Sequence, residues 1–384
     1  MDKKTIAILT LPLHYNYGGI LQAYALQKVV RNNGFVPLSL KLEYDVWYPS
    51  FERRFKDAIC RFVEKCLGRQ STRLTIQERK YVGHNTLTFV EKYINETRPF
   101  RNANQILKFI KSQNIDKFIV GSDQVWRPEY VSDIRNYFFD FLDPKDNTKI
   151  ISYAASFGGS VLSIEHAIID QCKNAIKKFT AVSVRETDGI KLCKNHLDAD
   201  AVQVLDPTML LDRHDYVALM NDEQRTIEPS SQNRLFYYVL DNTPNMQNAL
   251  QIVSSKLNCN VYKCMPERNA TPDLIRNKEQ SCVYPPVEEW IANFYKADYV
   301  LTDSFHGCAF SIIFNKPFWV IGNIERGLSR FQSLLSLFGL EDRLITIDNL
   351  PDLSFDQYIN WDLVNAKKRD LQEKSFDFLR NNIF

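Results

Sequence analysis

The stretch Ala297-Asp298-Tyr299-Val300-Leu301-Thr302-Asp303-Ser304-Phe305-His306-Gly307 ends an apolar run at Asp303 and opens a helix near Gly307. His306 therefore falls at a strand-to-helix turn. The first amides of a helix favour an anion there, and an imidazole is suited to proton transfer near neutral pH. The competing reading is a structural histidine that caps the helix. Ser304 and Gly307 share the turn and are candidate ligand contacts. Arg185 ends another apolar run, Ala181–Val184, with Glu186 beside it. It is either a ligand for an anion or the partner of a carboxylate. Arg326 and Arg330 follow the run Phe318–Ile321 in a loop with Asn323, Glu325 and Ser329. Either guanidinium can hold a phosphate or carboxylate in a bidentate fork, and a solvated loop is the alternative. Arg330, just before Phe331, is favoured because it falls at a helix start.

Two further loops have cleft chemistry. His14-Tyr15-Asn16-Tyr17-Gly18-Gly19 lets backbone approach a ligand closely at Gly18 and Gly19, with Asn16 alongside. It lacks Gly-x-Gly-x-x-Gly and is a weak dinucleotide signal. Gly121-Ser122-Asp123-Gln124-Val125-Trp126-Arg127 gathers Ser122, Asp123 and an indole at a strand end. Trp126 is a candidate sugar-stacking surface, with packing as the alternative.

The elements that position these residues read as α/β. Thr5–Leu11 is a strand, Ile20–Asn32 has helical spacing and stops at Gly34, and Val36–Leu40 is a second strand. That strand, glycine loop, helix, strand order opens a doubly wound domain. Strands follow at 118–120, 150–154, 181–184 and 202–205, each stopping at small or polar residues. Ligands bind at such carboxyl ends in an open parallel sheet. The polar stretch Asn221–Asn233 marks a boundary. Beyond it the αβ rhythm resumes, with strands at 235–240, 260–263, 299–302 and 318–321 and a closing helix over 362–379. The expected division is a Rossmann-like domain over 1–220, carrying an irregular insertion at 41–117, and a second over 234–384 whose last helix can pack back on the first. Two such units facing each other resemble the GT-B architecture.

Composition narrows the field. The 384 residues carry a net charge of +2, with 45% hydrophobic and 24% charged residues. This balance fits a soluble globular protein and gives no push toward nucleic acid. Eight cysteines lack Cys-x-x-Cys spacing, so no metal is expected and the thiols read as reduced. No run approaches the roughly 18–20 apolar residues of a membrane span. The insertion 41–117 has 16 Lys and Arg against 9 Asp and Glu. Within it, Phe51, Phe55, Ile59, Phe62 and Cys66 form a stripe flanked by Arg53, Arg54, Lys56, Arg61 and Lys65. This basic amphipathic segment, 50–68, either touches an anionic membrane surface or packs on the first domain.

Taken together, the segments Asn16-Tyr17-Gly18-Gly19, Val120-Gly121-Ser122-Asp123, Val182-Ser183-Val184-Arg185-Glu186, Leu205-Asp206-Pro207-Thr208 and Asp303-Ser304-Phe305-His306-Gly307 resemble the polysaccharide pyruvyl transferase family, over roughly residues 5–345. The resemblance implies a GT-B-like fold, phosphoenolpyruvate as donor substrate, no cofactor, and a saccharide acceptor on a polymer or lipid carrier. It implies a cytoplasmic enzyme, peripheral at the inner membrane face if the segment 50–68 binds lipid. His306 matches the family's histidine and Arg185 its strand-end arginine. The family's lysine falls in the Arg326–Arg330 loop, so an arginine takes its place. Donor binding is thus expected of Arg185, Arg326, Arg330, Ser304 and Gly307, and the cleft or acceptor side of Asn16, Gly18, Gly19, Ser122, Asp123 and Trp126. Some branches carry an arginine where this chain has Ser304 and an acidic residue where it has Gly19. The alternatives are a sugar-nucleotide glycosyltransferase of the same fold and a non-catalytic saccharide-binding protein.

Overall fold

The computed structural model describes residues 4–42, 56, 58–60, 63–64, 66, 74–131, 133–143, 147–162, 164–226, 231–322, 328–350, 354–355 and 358–384. Arg326, most of the loop around it, and Phe51, Phe55, Phe62, Arg53, Arg54, Arg61 and Lys65 of the amphipathic segment lie outside these residues.

Two parallel sheets form, and both have the same winding. The first contains β1 (Thr5–Leu9), β2 (Val36–Ser39), β3 (Lys117–Val120), β4 (Lys149–Ala155), β5 (Ala181–Val184) and β6 (Ala201–Gln203), in the order β2-β1-β3-β4-β5-β6. The second contains β7 (Asn233–Tyr238), β8 (Cys259–Lys263), β9 (Tyr299–Thr302), β10 (Phe318–Ile321) and β11 (Leu344–Ile345), in the order β11-β10-β9-β7-β8. β3 and β10 are buried at every residue. A strand buried on both faces needs helices on both sides, which is why these runs are continuously apolar rather than alternating. In each sheet the first strand is flanked by the second on one side and the third on the other, so the winding reverses there. The crevices where ligands bind in such sheets open between β1 and β3 and between β7 and β9.

The helix after β1, Tyr17–Asn32, is capped by Asn16, whose side chain accepts from the Gly19 amide at 3.2 Å. Only Lys28, Arg31 and Asn32 of this helix escape burial. One face lies on the first sheet and the other on the second domain, where Tyr17 stacks on Trp290 at 5.6 Å and donates its hydroxyl to the Pro285 carbonyl at 2.9 Å. The last helix, Trp361–Asn382, returns to the first domain. Ser375 Oγ accepts from the Leu205 amide, Gln372 donates to the Met209 carbonyl, and Lys368 pairs with Asp212. One apolar core, running from Ile6 through Trp290 to Leu379, therefore crosses between the sheets.

Candidate active site

The loops after β1, β3, β7 and β9 meet around a cavity of about 230 Å³. Its wall includes Asn16 from the first of these loops, Asp123 and Gln124 from the second, Leu240 from the third, and Asp303, Ser304 and His306 from the last. The two points of reversed winding thus face one another across a single space, which is where the sheet geometry places a ligand.

His306 lies in the first turn of the helix Phe305–Ile313, which begins two residues earlier than its apolar run suggests because Ser304 is the N-cap. Ser304 Oγ accepts from the Gly307 amide at 3.4 Å. Gly307 packs on β9 so closely that a Cβ would stand 2.2 Å from Thr302 Oγ1. Its expected donor contact is therefore corrected: Gly307 serves helix–strand approach, and its amide is already capped. Ser304 does line the cavity.

His306 comes from the second domain, and the carboxylate facing it comes from the first. Nε2 stands 3.6 Å from Asp206 Oδ2, an ionic contact when the ring is protonated and too long for a hydrogen bond. The same ring lies over the backbone of Gly18, where a Cβ would be 2.0 Å from Nδ1. Asp206 is held on every side. Its Oδ1 accepts from the Thr208 amide at 3.0 Å and the Thr208 hydroxyl at 2.7 Å. Its Oδ2 accepts from Arg185 Nη1 at 3.0 Å and lies 3.4 Å from Ser122 Oγ. Burial by itself would raise this carboxyl's pKa. His306, Arg185 and the Thr208 hydrogen bond outweigh burial and hold it well below the usual carboxylate range.

Arg185 does not reach the cavity wall, which corrects its expected role as a direct ligand. Its guanidinium is buried behind the wall, with Nε 2.8 Å from Glu186, Nη1 3.0 Å from Asp206 and 3.6 Å from Asp123. Its face lies 4.0 Å above the Phe305 ring, a cation–π contact across the domain boundary. Burial opposes its charge, but the carboxylates of Glu186, Asp206 and Asp123 win and raise its pKa. Nη2 is buried and makes no hydrogen bond among the described residues. Arg330, in contrast, lines the cavity from the start of the helix Ser329–Phe338. Burial and the nearby positive charge of Arg185 lower its pKa, in that order, and the carboxylates of Glu186 and Asp123 offset them in part. The helix that carries it is pinned to the first domain by Ser333. Ser333 Oγ accepts from the Thr187 amide at 3.0 Å and from Gln203 Nε2 at 2.8 Å.

Of the expected cleft residues, Asn16 and Asp123 line the cavity, and Gly18 supports His306 from behind. Gly19 packs on Asn16, and Ser122 is buried, donating to the Ala154 carbonyl at 3.0 Å. Trp126 is corrected outright. It is fully buried, stacks on Phe138 at 4.9 Å and donates Nε1–H to the Tyr137 carbonyl. An indole with its one donor satisfied inside the core has no face left for a sugar. Sequence reasoning passed over Asp206 as a site residue, although Asp206-Pro207 at the end of β6 marked a carboxylate at the ligand end of the sheet. It also passed over the tyrosines of the wall, Tyr15, Tyr130, Tyr238 and Tyr284. Tyr15 and Tyr284 stack across the domain boundary at 4.5 Å and 6°. Burial pushes the Tyr284 phenol up to about 12 and raises Tyr238 further, so both stay neutral at pH 7. Among the described residues no group of three or more His, Cys, Asp or Glu is placed to hold a metal ion. No helix of these residues is long and apolar enough to cross a membrane.

Two facing parallel α/β units with a site between their strand ends define the GT-B class. Solved structures agree on the fold. MnaA of S. aureus, in a UDP co-structure, aligns with a TM-score of 0.51 and 11% identity over 100% of this chain and 98% of that one. UDP-GlcNAc 2-epimerase from Methanocaldococcus jannaschii gives 0.51 and 9% over 97% and 99%. A Listeria monocytogenes protein assigned as a UDP-N-acetylglucosamine 2-epimerase gives 0.50 and 10% over 97% and 91%. No curated protein matches the chain in sequence. Residues 16–325 match the polysaccharide pyruvyl transferase family, and the chain belongs to it.

Proposed function

We propose that the cavity transfers the pyruvyl group of phosphoenolpyruvate to two hydroxyls of a sugar, closing a pyruvate ketal. The observation that carries this reading is the contact of His306 with Asp206 across the domains, with Arg330 in the same cavity wall. Phosphoenolpyruvate needs a cation for its anionic groups and a proton for its methylene carbon. Arg330 supplies the first. His306 supplies the second, with the Asp206 carboxylate 3.6 Å from its Nε2. Protonation makes the enol carbon electrophilic. One sugar hydroxyl adds to that carbon, the C–O bond to phosphate breaks, and the second hydroxyl closes the ring. Of the two protons the hydroxyls lose, one balances the proton taken by the methyl group and the other leaves with phosphate. Arg185 acts as a positioning residue, holding Asp206 and Phe305 rather than the donor.

Membership in the family and the fold of the site both support a saccharide acceptor. The acceptor is proposed to be lipid-linked at the cytoplasmic membrane face, with the segment 50–68 resting on anionic lipid. Ile59 and Val63, one helical turn apart, are 48% and 46% exposed, with Lys56 also exposed. Anionic vesicles should bind the protein at low salt and release it at high salt. Absence of binding at low salt would make the enzyme independent of the surface.

The functional test is phosphate release from phosphoenolpyruvate with lipid-linked galactosides, mannosides and glucosides, run beside sugar nucleotides with the same acceptors. Acceptor-dependent phosphate release is expected. Consumption of a sugar nucleotide instead would assign the site to glycosyl transfer.

A further inference from the structure

Trp126 is unable to serve as a sugar platform, but four residues on, the chain places another aromatic ring at the cavity. Tyr130 ends a single helical turn, Pro128–Tyr130, and is 44% exposed where it joins the wall. One face of its ring is covered by the Arg127 guanidinium at 4.5 Å. Arg127 is itself fixed, by Gln124 Oε1 at 3.0 Å and by Glu129 at 3.3 Å. Gly158 closes in beneath both. A Cβ there would stand 2.4 Å from Gln124 Oε1 and 2.8 Å from Arg127 Cδ. The ring is thus backed by a cation that is itself bonded to Gln124 and paired with Glu129.

The groups beside it select the chemistry of what would lie on the open face. Gln124 and Asp123 stand in the same wall, as do the anion-favouring Arg330 and His306, while the Asp303 carboxylate accepts from the Leu240 and Asp241 amides. Carboxylate and amide oxygens accept hydrogen bonds from hydroxyls and repel a phosphate. A pyranose offers an apolar C–H face for a ring and hydroxyls around its edge, so it satisfies both features at once. We infer that Tyr130, backed by Arg127, is the stacking platform that seats the acceptor sugar and helps select it. The inference rests on the pyruvyl transfer reading and deepens it by assigning an acceptor contact in the cavity, which makes Tyr130 a specificity-determining residue.

The test has two independent readouts. In steady-state assays, Tyr130→Ala should raise the KM for the acceptor by roughly ten-fold, the scale of one aromatic contact, and leave the KM for phosphoenolpyruvate within two-fold. Tyr130→Phe and Tyr130→Trp should keep most of the affinity, because they keep the ring. An unchanged acceptor KM in Tyr130→Ala overturns the inference while leaving pyruvyl transfer standing. The second readout needs no turnover. Saturation-transfer NMR with methyl β-D-galactopyranoside, methyl α-D-mannopyranoside and methyl β-D-glucopyranoside should show contact in the wild type for at least one glycoside, and its loss in Tyr130→Ala. Equal contact in both proteins, or none in the wild type, overturns the platform whatever the donor proves to be. Loss of contact in a protein that never uses phosphoenolpyruvate upholds the platform and rejects pyruvyl transfer.

Discussion

Replacing Gly18 by alanine tests whether the His306 ring must lie where it does. An ideal Cβ at position 18 would stand 2.0 Å from His306 Nδ1, 2.2 Å from Cγ and 2.7 Å from Cε1. Ordinary contacts begin near ~3.5 Å, so the ring or the helix must move by about 1.5 Å. A misplacement of roughly 1 Å at a reacting group can cost about 10² in rate. The expected result is a fall in kcat of about a hundred-fold. Stability should change far less. Overpacking costs ~1–3 kcal/mol, and alanine recovers ~1 kcal/mol over glycine in the helix Tyr17–Asn32. Kinetics of phosphate release, with thermal unfolding as a control, measure both. Gly19→Ala is the matched comparison, because its Cβ would meet Asn16 at 3.2 Å and not the histidine. It should stay within a few-fold of wild type. A Gly18→Ala enzyme with full kcat would refute the placement of His306 as the working group.

Four further outcomes are expected. His306→Ala should lose about 10²–10⁴ in kcat while remaining folded, with a lowered unfolding temperature because the buried ring faces the buried Asp206, as read by the same two assays. Arg330→Ala should weaken phosphoenolpyruvate by roughly ten- to a hundred-fold, the worth of a charge-assisted contact, and Arg330→Lys should restore only part of it; titration of the donor at fixed acceptor separates the two. Ser333→Ala removes the acceptor for Thr187 and Gln203 across the domains, so the donor KM should rise about five-fold, near the ~1 kcal/mol of one hydrogen bond, and an unchanged KM would make the pin irrelevant to Arg330. Asp206 has a folded pKa below its unfolded value of about 3.9. Its stabilisation is therefore complete above the unfolded value and lost as pH falls toward the folded one. The gap in melting temperature between wild type and Asp206→Asn should be level above about pH 5 and narrow below about pH 4.

The parts of this site that were legible in the sequence are those fixed by strand ends. Apolar runs that stop at Asp303, Arg185 and Gly121 placed the loops correctly, because a buried parallel strand must end where its polar loop begins. What lies one layer deeper was not legible. Arg185 directly follows β5 and Asp206 stands three residues past β6, but only the packing of three carboxylates and Phe305 shows that the guanidinium turns inward. Trp126 and Tyr130 differ for a local reason. Gly121 and Asp123 take positive φ values of 120° and 68°, and the loop they bend sends Trp126 into the core. No hydropathy period survives such a turn, so the side chain's direction could not be read from spacing. The helix of Tyr17–Asn32 hid its other buried faces in the same way, since Tyr17 is covered by Trp290 of the other domain and Tyr24 by Phe89 and Tyr93 of the insertion.

The central claim is that both hydroxyls of one sugar end up bonded to the former enol carbon. Phosphoenolpyruvate labelled with ¹³C at the methylene carbon, incubated in D₂O with the enzyme and a lipid-linked glycoside, tests it directly. The label should appear by NMR as a ketal methyl on the glycan carrying one deuterium, with one phosphate released per ketal, and should be absent when His306→Ala replaces the wild type. Label found only in unreacted donor or in free pyruvate, with no methyl signal on any glycan, would contradict pyruvyl transfer at this site.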